Sequence, residues 1–169
     1  MSWNIVPNNN ETYTLLNGSD TIIRLHKQIK IDVVLRLMSS LEEIGFPISY
    51  SRGLKEIYFT YLWGYLAGDY DCDGIIRVSC NNMFLQNHAQ HFIHEIGHHV
   101  DESEAYSEDL DLQEEWKHHS SSFIHVDIDK DPAEYFAMGF DRWYTGGNLS
   151  ENPLLTSTIQ NIHNKYTNT

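Results

Sequence analysis

The chain has 169 residues, enough for one domain with a sizeable core, and its 41% hydrophobic and 21% charged residues are ordinary for a globular protein. Its 24 carboxylates against 11 Lys and Arg argue against non-specific nucleic-acid binding, which depends on neutralising phosphates with cations. No apolar run approaches the ~18 residues of a membrane span, so no membrane partner is expected.

The opening MSWNIVPNNN has neither the basic nor the apolar region of a secretory signal. A cytoplasmic protein is therefore expected, with export by another route left open. The first third mixes short strand-like pieces, Thr12–Leu16 and Ile22–Leu25, around an Asn17-Gly18 turn signal. From Ile31 to Ile44, Val34, Leu37, Met38 and Leu41 recur at spacings of three and four. That period predicts a helix, ended by Gly45 and Pro47. KEIYFTYLWGYLAG, rich in aromatic and β-branched residues, reads as one or two strands. An acidic turn, GDYDCDG, and a strand over Ile75–Ser79 follow. A hairpin there would allow a disulfide between Cys72 and Cys80. Without a secretory context two buried free thiols are the expectation, and no CxxC spacing assigns them to a metal.

From Met83 to about Glu102 the pattern is helical again, with Leu85, Ala89, Phe92, Ile96 and Val100 on one stripe. His91, His94, His98 and Asp101 fall on another face. Residues 101–115 carry eight carboxylates and no cation, which reads as a solvated face or as a rim that favours cationic substrate. A further helix starts at Pro132, with Asp131 as its N-cap, and runs to the turn at Gly146-Gly147. An amphipathic segment, Leu154–Tyr166, closes the chain. No repeat or linker divides it, so residues 1–169 read as a single domain.

The chemistry is concentrated in His94-Glu95-Ile96-Gly97-His98. Residues four apart on a helix share a face, so the two imidazoles can bind one metal ion. Glu95, about 100° round from His94, is badly placed as a ligand but well placed to act on a water at the metal. Zinc suits this set: with three protein ligands it keeps a position open for water, whose proton a neighbouring carboxylate can take. Gly97 costs ~1 kcal/mol against Ala in a helix, which makes sense if another backbone passes close by. Glu104, His125, Asp127 and Asp129 are conceivable third ligands. Glu134, 36 residues after His98 on the next helical pattern, is the better candidate.

HEIGHHVD followed by PAEYFAMGF resembles the catalytic domain of anthrax lethal factor and its relatives, including the secreted Pro-Pro endopeptidases. The resemblance spans roughly Ile75 to Tyr166. It implies an α+β, zincin-like fold with a small twisted mixed sheet, an active-site HExxH helix and C-terminal helices. It also implies a gluzincin-type zinc metallopeptidase with His94, His98 and Glu134 as ligands and Glu95 as base. The substrate, a peptide or protein, would pair with an edge strand at Ile75–Ser79. Two positions depart from that family: Asp127 stands where it has an oxyanion-supporting tyrosine, and Met138 where it tends to have a second Glu. His125 is then the candidate donor to the oxyanion, with Tyr106 and Tyr135 behind it. The function expected is a zinc endopeptidase working through a Glu-activated, zinc-bound water. The alternatives are a zinc hydrolase of a non-peptide amide and a zinc-binding interaction module without turnover.

Overall fold

A computed structural model of the chain describes residues 4–8, 12–16, 20–63, 66–81, 87–119 and 131–168. Among these residues the protein is mixed α+β, with one six-stranded mixed sheet and five α-helices. The strands are β1 (Ile5–Pro7), β2 (Thr12–Leu15), β3 (Thr21–Leu25), β4 (Glu56–Thr60), β5 (Gly68–Asp71) and β6 (Ile75–Ser79). Their spatial order is β1-β2-β3-β4-β6-β5. β3, β4 and β6 are parallel to one another, and β1–β2, β2–β3 and β5–β6 pair antiparallel.

The sheet buries one face. Leu15, Ile23, Ile57, Phe59, Ile76 and Val78 are inaccessible or nearly so, while Arg24, Tyr58 and Arg77 on the alternate positions are not. Parallel strands need a crossover, and α1 (Ile31–Glu43) provides it between β3 and β4, burying Val34, Leu37, Met38 and Leu41 as its period requires. The long helix α2 (His88–Glu104) carries Phe92, Ile96 and Val100 into the same core, joined by Ile93. It begins at His88, and the part of the expected helix at residues 83–86 lies outside the described residues. α3 (Leu110–His119), α4 (Pro132–Thr145) and α5 (Pro153–Thr167) complete the fold. The start of α4 follows its sequence signals: Pro132 opens it and the Asp131 carboxylate accepts from the Ala133 N–H at 2.8 Å. No described helix is long and apolar enough to cross a membrane.

Among the described residues of 55–68 one strand, β4, forms ahead of Gly68, within the one or two expected. Other expectations are corrected. The supposed acidic turn is mostly strand: Gly68–Asp71 form β5, and only Cys72–Gly74 turn. Its like charges are neutralised across the pair, because Arg77 on β6 donates to Asp69 at 2.7 Å and to Asp71 at 3.0 Å. Finally, β6 is not an edge strand. It lies between β4 and β5, so among the described residues the edge of the sheet on that side is β5. The two cysteines are free, but Cys72 is exposed in the turn and only Cys80 is buried.

Candidate metal centre

Two helices build the site. On α2, the i, i+4 spacing stacks His94 and His98 on one face and brings their Nε2 atoms to 3.2 Å. On α4, Glu134 in the first turn reaches both: Oε2 lies 3.4 Å from His94 Nε2, and Oε1 lies 3.4 Å from His98 Nε2. The three residues offer donor atoms within 4.8 Å of one another, a group able to hold a metal ion. This is the trio expected from sequence.

Gly97 makes the convergence possible. A β-carbon there would sit 2.9 Å from the Ala137 Cα and 3.3 Å from the Ala137 and Phe140 β-carbons. Real β-carbons do not approach backbone so closely. The glycine between the two histidines thus lets α4 lie directly on α2 and bring Glu134 to them, as its cost in a helix suggested.

A carboxylate that the sequence did not reveal stands behind His94. Asp141, 2% exposed, places Oδ2 at 3.7 Å from His94 Nδ1, and its Oδ1 accepts from Gln90 Nε2 at 3.2 Å. A carboxylate on the far ring nitrogen fixes the tautomer and orientation of a ligating histidine. The signal was present in the spacing, since Asp141 follows Glu134 by seven residues, two turns along the same face of α4.

Electrostatics reinforce the geometry. Burial pulls the His94 imidazole down, but Asp141 and Glu134 outweigh it and lift its pKa to about 10. Hydrogen bonds from His94 and His98 hold the Glu134 carboxyl well below the usual carboxylate range. Glu95, 7% exposed, is pushed up to about 6 by burial, against the pull of both imidazoles.

These groups line a cleft of about 680 Å3, one wall of which is the edge strand, with Gly68, Asp69 and Tyr70 contributing. The Tyr70 hydroxyl donates to Glu102 and lies 3.2 Å from His99 Nδ1, while His99 Nε2 donates to the Arg52 carbonyl at 3.0 Å. β5 is therefore tied to α2 beside the site.

The other expected groups fall elsewhere. Glu104 pairs with Lys165 Nζ at 2.5 Å, and α2 runs on through Asp101 without the sharp exit that ligation by Glu104 would need. The Tyr135 hydroxyl donates to Glu115 at 2.9 Å, and Tyr106 stacks on Phe136 with ring centroids 5.5 Å apart, so neither lines the cleft. His125, Asp127 and Asp129 lie outside the described residues. Of the acidic run, Asp101 and Glu102 line the cleft. Others are structural: Glu115 accepts from the Leu154 and Leu155 N–H groups at 2.8 and 2.9 Å and so caps α5.

Compared with known proteins, the chain matches no family model, no curated protein and no solved structure.

Proposed function

We propose that the protein is a zinc-dependent endopeptidase of zincin-like, gluzincin type, as its two motifs suggest. The observation that carries this reading is the gathering of His94, His98 and Glu134 donors in the cleft that Glu95 also lines. Tetrahedral zinc with bonds of ~2.0–2.1 Å spaces its ligand atoms about 3.3 Å apart. The two Nε2 atoms stand 3.2 Å apart, each has a different Glu134 carboxylate oxygen at 3.4 Å, and one donor atom from each of the three residues lies within 4.8 Å of the others. Two imidazoles and one carboxylate are also a donor set that suits zinc.

His94, His98 and Glu134 would hold the ion, which supplies Lewis acidity when bound. The chain's own residues account for the rest. Asp141 keeps the His94 ring aimed at the site. Glu95 takes a proton from the attacking water and returns it to the leaving amine, and a pKa of about 6 leaves it ionised at neutral pH yet able to carry that proton. An extended peptide laid in the cleft meets the outer edge of β5, beside which no further strand lies among the described residues. Such pairing orders the substrate next to Glu95.

The test is a peptide-library screen of the zinc-loaded protein beside its Glu95→Gln variant. Cleavage by the first alone supports the proposal. Hydrolysis confined to small amides would make the protein a non-peptide amidase, and no hydrolysis of either would leave a zinc-binding module.

A further inference from the structure

The edge strand does more than offer a backbone to substrate. A β-carbon added to Gly68 would lie 2.8 Å from Glu95 Oε1 and 2.9 Å from Glu95 Cγ, with the Arg77 carbonyl at 3.2 Å. Glu95 is almost wholly enclosed. It sits between the ligand helix on one side and β5 on the other, so its carboxylate occupies the volume that any side chain at residue 68 would take.

Strand and helix are also held in register here. Two residues further along β5, on the same strand face, the Tyr70 hydroxyl donates to Glu102 of α2. The strand cannot back away from Glu95 without breaking that contact. On its far side, β5 is paired to β6, Gly68 opposite Val78 and Asp69 opposite Arg77.

We propose that Gly68 is a positioning residue for the catalytic base: its missing side chain is the slot in which Glu95 is held beside the metal ligands. The proposal rests on the peptidase reading for its functional consequence and on the β5–α2 contact for its geometry. A methyl group at residue 68 is accommodated by rotating the flexible Glu95 side chain, so the base is displaced while the fold persists. Displacing a reacting group by about 1 Å can cost on the order of 10²-fold in rate.

The experiment is Gly68→Ala in the full chain, loaded with zinc. Expected are wild-type zinc content, KM close to wild type and kcat lower by on the order of 10²-fold. A crystal structure of the variant should show Glu95 in a different rotamer, a readout that needs no turnover. If the variant fails to fold, adding Glu95→Ala should rescue it by vacating the slot. The proposal is overturned if Glu95 keeps its position and kcat is unchanged. It is equally overturned if the substitution lowers Tm as much in the Glu95→Ala background as in wild type, because the obstacle would then be the Arg77 carbonyl. A wild type that cleaves no peptide sinks the peptidase reading alone, since the rotamer and the rescue still decide the role of Gly68.

Discussion

Toward α2, helix α4 places Glu134 and Asp141 among the imidazoles of His94 and His98. From its last turn it sends Tyr144 into a second cluster, where the hydroxyl lies 2.8 Å from both the Tyr50 hydroxyl and His163 Nδ1. Both clusters are polar and withdrawn from water, yet their chemistry is opposite. Around Tyr144 the groups are neutral: burial pushes the Tyr50 and Tyr144 hydroxyls far up and the His163 imidazole down. Donors can be matched to acceptors there, and aromatic rings at edge-on angles fill the remaining space, as Phe46 does against Tyr144. At the candidate metal centre, by contrast, donor atoms from two rings and a carboxylate gather within 4.8 Å of one another. Such convergence is costly unless a cation or a proton occupies it. A buried polar cluster that satisfies itself is part of the scaffold, whereas one that gathers acceptors is built for something else.

Substitutions can break this contrast, and the largest effect should come from the group that neither cluster uses for binding. Glu95→Gln is expected to keep zinc and lose about 10²–10⁴-fold in turnover, as for other positioned general bases, measured by steady-state peptide cleavage. Near wild-type turnover would remove Glu95 from the mechanism. Next come the ligands. Glu134→Ala should release zinc in a competitive chelator titration, whereas Glu104→Ala should not, since Glu104 is engaged with Lys165. Asp141→Asn should weaken zinc binding by about 10–100-fold through His94, the cost typical of losing an outer-shell partner. Equal affinities for Asp141→Asn and wild type would leave His94 oriented by something other than Asp141.

The proton provides a third handle. With its pKa lifted to about 10, the His94 imidazole of the metal-free protein is protonated at neutral pH, and zinc must displace that proton. Zinc affinity should therefore rise with pH, by up to about tenfold per pH unit between pH 6 and 9, with proton release on binding. Calorimetry in buffers of different ionisation enthalpy measures both, and a flat profile would contradict the sign.

Smaller effects fall on stability. Glu95 has a folded-state pKa raised from 4.5 to about 6, so its ionisation disfavours the folded state above that pH and not below 4.5. In protein freed of metal by chelation, Glu95→Gln should be more stable than wild type by about 1–2 kcal/mol at pH 7. The gain should vanish as pH falls through 6 to 4.5, and denaturant titrations at both ends check it. Tyr144→Phe should cost only about 1 kcal/mol and leave zinc binding untouched. A loss of zinc in that variant would mean that the two clusters are coupled through α4.

Helices α1, α4 and α5 were legible in the sequence because a 3.6-residue period and its punctuation are local properties. Val34, Leu37, Met38 and Leu41 recur on one face whatever they pack against, and Asp131-Pro132 starts a helix through its own backbone geometry. His94 and His98 were equally legible, since i, i+4 spacing puts two rings on one face before any tertiary contact forms. Strand β5 was not. Gly, Asp and Cys are turn-like by composition, and the segment becomes a strand because Arg77, eight and six residues beyond them, draws Asp69 and Asp71 into a pair with β6.

Only the tertiary structure decided which strand forms the edge, because the chain places β5 outside β6 although it comes first in sequence. It likewise decided that Asp141 backs His94 and that Gly68 faces Glu95. Each is a contact between elements far apart in the chain, set by how closely α2 lies to α4 and β5. The sequence alone determined which residue types could bind a metal and hold a base. Packing determined the distances, and those distances give the types their chemistry.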